Sequence, residues 1–250
     1  MTDPMTRDGE PGAREPAPPA KVGPQPSLRR LAPVLIAFVL VTAGYFWAFQ
    51  PSVAGTPELL WRFALPHALL TVLAVRELSR DGVLFERLKP RWGDLSIGAL
   101  AAMLLLVASW FVRAKLAPPG SDSQQWLLLL YVMLGDPEQI QRSIVLTSLL
   151  LGITLAEEVV WRGLVTHRLT EHFGVRRGWL LAVALYCLAA LPTAYTLRAP
   201  AGPNPLLLFA TLGCGIVWTF LAVRVGRLVP GIFSHMAFTY FSFVQFRIPT

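Results

Sequence analysis

Residues 143–165 read SIVLTSLLLGITLAEEVVWRGLV, an apolar run interrupted by the adjacent acids Glu157 and Glu158 and, one helical turn later, by Arg162. A run of this length and composition is typical of a helix that crosses a membrane. Carboxylates are expensive at such a depth, so ionisable residues inside a membrane segment are usually functional. The stretch therefore indicates a membrane fold and the position of its chemistry.

The composition of the whole chain supports this interpretation. Of the 250 residues, 54% are hydrophobic and only 15% are charged, and several further apolar runs approach the roughly 20 residues that cross a bilayer. The net charge of +7 would suggest nucleic-acid binding in a soluble protein, but here the basic residues cluster at the ends of apolar segments. We predict an all-α, polytopic integral membrane protein, surrounded by lipid and without a nucleic-acid partner.

The apolar runs predict about seven transmembrane helices. They lie near Leu31–Phe49, Leu59–Val75, Leu95–Val112, Ser143–Val160, Trp179–Leu197, Leu206–Val223 and Leu228–Phe246. Trp126–Leu134 is too short to span a bilayer and is predicted to be re-entrant or interfacial; an extension into neighbouring residues would make it an eighth pass. Residues 1–28 are rich in Pro, Gly and mixed charge, which predicts a disordered tail.

The basic residues predict the orientation of the chain. Four groups hold 16 of the 22 Lys and Arg residues: Arg7, Arg14, Lys21, Arg29 and Arg30; Arg76, Arg80, Arg87, Lys89 and Arg91; Arg162, Arg168, Arg176 and Arg177; Arg224 and Arg227. With seven passes all four groups fall on one side, which the excess of positive charge identifies as cytoplasmic. The tail is then cytoplasmic, Thr250 is external, and Glu157 and Glu158 lie at the cytoplasmic end of the fourth pass.

Helix geometry separates the two acids. Glu158 and Arg162 are four residues apart and share a face, where a salt bridge is favoured, whereas Glu157 is turned about 100° away. Glu157 has Trp161 at its own i+4 position, and an indole offers no charge partner. We therefore expect a structural Glu158–Arg162 pair and a free Glu157 that acts as a general base. The alternative is that both acids only mark the helix end at the lipid headgroups.

A second polar group lies inside the last predicted pass, in VPGIFSHMAFTYFSF (residues 229–243). His235 shares a helix face with Thr239 and has Ser234 beside it. A histidine there can bind an oxyanion or orient water, and Thr239 can add a further hydrogen bond. The alternative is a histidine that donates only to the backbone of a neighbouring helix.

These motifs resemble those of a known family. The EExxxR pattern of Glu157, Glu158 and Arg162, followed by PGIxxHxxF over Pro230–Phe238, is similar to the CPBP family of CAAX proteases and bacteriocin-processing or self-immunity proteins. The resemblance covers about Ser143–Phe246. It implies that Glu157 activates water, that Glu158 and Arg162 form the structural pair, and that His235 orients water or binds the oxyanion. It also implies a division into N-terminal transmembrane helices over 29–142 and catalytic-motif helices over 143–250.

Two positions depart from the family pattern. The middle motif, FxxxH, aligns with Tyr186–Ala190, so that Ala190 stands where the family has histidine, and Thr239 stands where it has asparagine. No histidine occurs between His172 and His235, so a shift of the alignment does not supply the missing residue. His67, in the second predicted pass, would have to reach the site from another helix, and a packed intramembrane histidine is the simpler interpretation of it.

The sequence predicts no metal or other cofactor. It has no HExxH motif, and one histidine with two acids, one of which is paired with Arg162, provides too few ligands for a typical zinc site. Cys187 and Cys214 lack CxxC spacing and are interpreted as small buried residues.

The resemblance implies an intramembrane endopeptidase in a bacterial cell membrane. It would cleave a peptide with a membrane-associated segment in a cavity open to the cytoplasmic leaflet. Because Ala190 replaces a family histidine, an inactive pseudoprotease with an accessory, immunity or binding role is the alternative. A transporter is a third reading, since paired charges also line ion pathways, but the duplicated broken helices common in such folds are missing.

Overall fold

The structure of the protein, a computed structural model, describes residues 28–200 and 202–245. The α-helices in these residues are α1 (Ala32–Ala48), α2 (Glu58–Arg80), α3 (Leu84–Leu88), α4 (Asp94–Leu116), α5 (Gln124–Leu134), α6 (Pro137–Arg142), α7 (Ile144–Glu158), α8 (Thr166–Phe173), α9 (Val175–Ala189), α10 (Leu191–Thr196), α11 (Pro205–Val225) and α12 (Val229–Tyr240). Val159–Val165 and Phe241–Gln245 are π-helical. Residues 1–27 of the predicted tail, and Thr250, lie outside the described residues.

Local chemistry sets the main helix boundaries. Ser143 and Asn204 cap α7 and α11, because each side chain accepts a hydrogen bond from a backbone N–H of the first turn. Gly174 separates α8 from α9 and Gly226 ends α11, and both have positive φ angles that glycine adopts without strain.

Within residues 28–200 and 202–245, six helical stretches have the length and apolar composition needed to cross a membrane. They are Leu28–Ala48, Glu58–Arg80, Asp94–Leu116, Ile144–Phe173, Val175–Thr196 and Pro205–Val225. The protein is therefore an all-α, polytopic integral membrane protein, as predicted. The seventh predicted pass corresponds to α12 and Phe241–Gln245, which are 12 and 5 residues long.

One end of the helix bundle gathers the basic groups. The Leu228 N–H donates to the Arg87 carbonyl at 2.8 Å, the Arg87 guanidinium lies 3.0 Å from His167 Nδ1, and Arg168 lies 2.8 Å from Asp81. The turn that precedes α1 packs against α8 at the same end. We call this the basic end.

The opposite, far end is held together by other loops. The Gly55 N–H donates to the Met133 carbonyl at 3.1 Å, and the Trp126 indole donates to the Gly202 carbonyl at 3.1 Å. Helix α6 packs there against Phe241–Gln245. The segment that begins with α12 at the basic end therefore finishes at the far end. It runs from one end of the bundle to the other, although it is shorter than each of the six stretches above. Helix α5 has both its ends at the far end and is not a pass.

The fourth pass differs from its prediction. The sequence predicted an end near Val160, but the helical stretch continues through the π-helical segment to Phe173. By helical rise, Glu157 lies about 20 Å from Ile144 and about 24 Å from Phe173. The acidic pair is thus in the middle of the bundle and not at the cytoplasmic end of its helix. Hydropathy fails here because Arg162 is buried with its charge paired, which a polarity scale cannot register.

Candidate active site

The two acids are buried side by side where α7 passes into the π-helical segment. Glu157 is 6% exposed, and Glu158 and Arg162 are 0% exposed. Arg162 Nη1 lies 3.2 Å from Glu158 Oε1, so the predicted i,i+4 pair is formed. π-Helical turns inside α-helices occur frequently at functional sites.

Aromatic rings enclose the Arg162 guanidinium. Its central carbon lies 4.3 Å from the ring centroid of Tyr186 and 5.3 Å from that of Trp218. Cation–π contacts of this kind stabilise a desolvated cation by up to about 2 kcal/mol. Together with Glu158 they explain how an arginine is accommodated at this depth.

His235 bridges the two acids. Its Nδ1 lies 2.9 Å from Glu158 Oε1 and its Nε2 lies 3.5 Å from Glu157 Oε2. The ring stacks on Trp218 with 3.7 Å between centroids, and the Trp218 indole donates to Ser234 Oγ. Because a carboxylate accepts hydrogen bonds, Nδ1 carries a proton and Nε2 is directed at Glu157.

Two residues from the N-terminal helices complete the surroundings of Glu157. The Tyr45 hydroxyl donates to Glu157 Oε1 at 2.5 Å, and His67 Nε2 lies 3.6 Å from the same oxygen. His67 Nδ1 lies 2.8 Å from the Phe63 carbonyl oxygen, which fixes its proton on Nδ1. His67 is therefore placed against the acidic pair, contrary to the simpler sequence interpretation. Tyr45 was missed, because a tyrosine in an apolar helix carries no local signal of a site.

The site has an unusual proton requirement. When both histidines are neutral, the Nε2 atoms of His67 and His235 present lone pairs to a carboxylate, which also only accepts. A shared proton or a bridging water satisfies such a set of acceptors. The geometry around Glu157 is thus suited to hold and deprotonate a water molecule.

A cavity of about 190 Å³ reaches Glu157. Glu157, His235, Thr239 and Ala190 line its inner part. Ala190 is 4% exposed and forms the junction between α9 and α10. The structure therefore brings together all five predicted site residues, of which Glu157, His235 and Thr239 face the cavity and the Glu158–Arg162 pair supports them.

The cavity extends from Glu157 toward the far end. Its outer wall is formed by residues of the far half of the bundle: Phe49, Leu59, Leu60, Leu130, Leu134, Leu150, Ile153 and Phe243. On the basic side of the acids the helices pack into a buried apolar core, which includes Val160, Leu164, Val165, Ala189 and Leu228. The sequence predicts a cavity on the same side as the basic groups, whereas in the structure the cavity and the basic groups lie toward opposite ends.

One other cluster has donor atoms close enough to hold a metal. Among residues 28–200 and 202–245, this cluster consists of Asp81, His167 and Glu171. Each offers one possible ligand atom, and these atoms lie within 4.8 Å of one another. Arg168 pairs with both acids, and Arg87 lies against His167 Nδ1. With Nδ1 accepting from an arginine, His167 carries its proton on Nε2 and cannot offer that atom to a metal. Burial also lowers the pKa of Arg87 from its ordinary value. We interpret the cluster as an ionic network that ties α2, α3 and α8 together.

Part of the chain is similar to a known protein family. The family model for "Type II CAAX prenyl endopeptidase Rce1-like" proteins matches residues 139–241. No curated protein matches the chain, and no solved structure does. The matched range contains all five predicted site residues, whereas Tyr45 and His67 lie outside it.

Proposed function

We propose that this membrane protein is an intramembrane endopeptidase. Residues 139–241 match the Rce1-like family of type II CAAX prenyl endopeptidases, and this match confirms the resemblance to the CPBP family. The observation that carries the proposal is the position of Glu157, a buried carboxylate that faces a cavity and has two histidine Nε2 atoms within 3.6 Å. Its substrate would be a peptide with a membrane-associated segment.

The reaction needs one base and one set of oxyanion donors. Glu157 removes a proton from water, and the hydroxide forms a bond to the carbonyl carbon of the scissile peptide. The carbonyl oxygen becomes an oxyanion, which a protonated histidine Nε2 or the Thr239 hydroxyl can bind. When the C–N bond breaks, Glu157 returns its proton to the leaving amine. Water is thus added across the peptide bond, and no metal or other cofactor is required.

Glu158 and Arg162 act on the reaction through His235. The hydrogen bond from Nδ1 to Glu158 fixes the tautomer and the ring orientation, and stacking on Trp218 fixes the ring plane. A carboxylate that orients a histidine in this way is a common arrangement in hydrolases. Arg162 in turn holds Glu158 ionised at a depth where a lone carboxylate would be unstable.

His67 offers the second histidine that the sequence lacks at position 190. It approaches Glu157 Oε1, while His235 approaches Oε2, so the two rings flank the carboxylate. In the proposed division of the chain, the helices of residues 29–142 contribute Tyr45 and His67, and the helices of residues 143–250 carry the EExxxR and PGIxxHxxF motifs.

The alternative is a pseudoprotease that retains the fold for binding or immunity. Ala190 is the observation that favours it, because a methyl group replaces a donor in the wall of the cavity. Both forms would reside in a cell membrane, which we propose to be the bacterial inner membrane.

Hydrolysis of a quenched membrane-peptide library by the purified protein tests the proposal. Glu157→Gln should abolish cleavage, and Glu138→Gln should not, because Glu138 is an exposed residue of α6. His67→Ala should lower the rate by about 10²-fold or more, and Ala190→His added to it should restore part of the loss by supplying a donor from the cavity wall. The pseudoprotease would be established if neither the wild type nor Ala190→His cleaves any peptide while Glu157→Gln still supports the protein's role in the cell.

A further inference from the structure

We propose that Tyr45 is a positioning residue of the reaction. Its hydrogen bond to Glu157 Oε1 fixes the plane of the carboxylate, so that Oε2 is the oxygen that takes the proton from water. The inference rests on the proposed function for its reaction. It goes further by giving a role to a residue outside the matched range and different roles to the two oxygens of Glu157.

The carboxylate of Glu157 needs a restraint from another residue. The last torsion of a glutamate side chain has broad minima, so the side chain alone does not fix the plane of its carboxylate. The Tyr45 hydroxyl donates to Oε1 at 2.5 Å, and His67 Nε2 lies 3.6 Å from the same oxygen. A donor from α1 therefore determines where Oε1 lies, and with it the direction in which Oε2 points.

The second oxygen of Glu157 is placed to act as the base. Oε2 lies 3.5 Å from His235 Nε2, which is longer than the about 2.7–3.2 Å of an N–H···O hydrogen bond. Glu157 and His235 both line the cavity, so a water molecule there can contact Oε2 and Nε2 together. Oε2 takes the proton of this water as the hydroxide oxygen bonds to the carbonyl carbon. Oε2 then gives the proton to the leaving nitrogen as the C–N bond breaks, and Tyr45 keeps its own proton throughout.

The Tyr45 ring is itself held in place by packing. It is 7% exposed and stacks on Phe63, with 4.8 Å between ring centroids and 16° between ring planes. Phe63 stacks in turn on His67, with 5.1 Å between centroids and 12° between planes. Three nearly parallel rings from α1 and α2 thus fix the direction of the Tyr45 hydroxyl.

A close approach of α1 and α2 sets the position of this stack. A methyl carbon added at Gly44 would lie 2.7 Å from Pro66 Cγ and 3.3 Å from Pro66 Cβ, so a larger residue would push the two helices apart. Tyr45 and His67 directly follow Gly44 and Pro66 in the sequence. The contact between the glycine and the proline therefore controls how far the Tyr45 hydroxyl reaches toward Glu157.

The first test removes only the hydroxyl group. Tyr45→Phe keeps the stacked ring, and the substrate is the library peptide that the wild type cleaves best. We expect kcat to fall about 10- to 100-fold and KM to stay unchanged, because the lost hydrogen bond orients the base and does not bind the peptide. Tyr195→Phe is the control, since Tyr195 is 63% exposed, and it should retain the wild-type kcat. An unchanged kcat in Tyr45→Phe, or a rise in KM without a fall in kcat, overturns the proposal.

Infrared spectroscopy gives a readout that needs no turnover. The carboxylate stretching band of Glu157 is the band that disappears in Glu157→Gln. This band should shift in Tyr45→Phe and stay in place in Tyr195→Phe. An unchanged band in Tyr45→Phe overturns the proposal whether or not the protein is active. A wild type that cleaves no peptide is a failure of the proposed hydrolysis, and it is thereby distinguished from a failure of the Tyr45 assignment.

The spacing of α1 and α2 is tested separately. Gly44→Ala should lower kcat, and Pro66→Ala added to it should restore part of the loss, because it removes the Cγ atom that the new methyl carbon would meet. Gly152→Ala is the matched control, since a methyl carbon on this glycine of α7 has no neighbour within 4 Å among the residues that the structure describes. Full activity in Gly44→Ala, or no recovery in the double variant, overturns the role of the glycine–proline contact.

Discussion

The paired acids should respond differently to substitution, because Glu158 is held by the full charge of Arg162, whereas Glu157 accepts a hydrogen bond from the neutral Tyr45 hydroxyl. Removal of the Glu158 carboxylate by Glu158→Ala leaves Arg162 buried without a counter-ion. At 3.2 Å and an effective dielectric constant of about 20, the attraction between the two charges is about 5 kcal/mol. Breaking a buried pair by deleting one partner typically costs about 3–5 kcal/mol, in agreement with this value.

In contrast, Glu157→Gln keeps an oxygen that accepts from Tyr45. It replaces one charged hydrogen bond by a neutral one, a difference of about 1 kcal/mol. We therefore expect Glu158→Ala to lower the melting temperature by about 6–20 °C and Glu157→Gln to lower it by a few degrees at most. Cys214 is buried, so a thiol-reactive dye in detergent reports unfolding of the bundle.

A surface pair with the same spacing serves as the control. Glu138 and Arg142 are four residues apart on α6, 2.8 Å from each other, with side chains 69% and 82% exposed. Glu138→Ala should change stability by less than about 1 kcal/mol, as exposed ion pairs do. In the double variant Glu158→Ala with Arg162→Met the unpaired charge is gone, and much of the stability should return. Equal destabilisation by Glu157→Gln and Glu158→Ala would refute the assignment of one structural and one catalytic acid.

Three further predictions concern the packing and the chemistry of the site. Gly231→Ala should lower the free energy of unfolding by about 1–3 kcal/mol, seen as a lower melting temperature in the same dye assay, because its new methyl carbon would lie 2.9 Å from Glu158 Oε2. Thr239→Val should reduce kcat by about 10-fold and Thr239→Asn should retain activity, because only the amide replaces the lost donor; equal rates for both would contradict a role in oxyanion binding. Prolonged dialysis against EDTA should leave peptide hydrolysis unchanged, and reactivation of a dialysed, inactive sample by zinc would show that Glu157 does not act alone.

The sequence was sufficient for those features that depend on local pattern. Apolar runs predicted the passes, and the short helix α5 is confirmed as too short to cross. The spacing of Glu158 and Arg162 predicted their ion pair, because i,i+4 residues share a helix face whatever surrounds them. The histidine of PGIxxHxxF was found by its polarity in an apolar segment, and it does lie against the acids.

What the sequence could not give depends on packing between distant segments. Tyr45 is 112 residues from Glu157 along the chain, and no local period connects them. The continuation of the fourth pass beyond Val160 was missed because Arg162 counts as polar in any hydropathy sum. The side on which the cavity opens depends on which half of the bundle packs without gaps, and this is a property of many side chains at once.

The contacts that Tyr45 of α1 and His67 of α2 make with Glu157 also change what the absence of a histidine at position 190 implies for activity. Judged by residues 139–241 alone, Ala190 leaves Glu157 with a single histidine and favours an inactive protein. In the folded chain, however, His67 occupies a position at 3.6 Å from Glu157 Oε1, and its Nδ1 is fixed by the Phe63 carbonyl. An intramembrane histidine held in one tautomer and directed at a carboxylate is costly to keep without use. The site therefore has two histidines, one of which comes from outside the matched region. Partial rescue of His67→Ala by Ala190→His is the result that this argument requires, and an unchanged rate in His67→Ala would remove its basis.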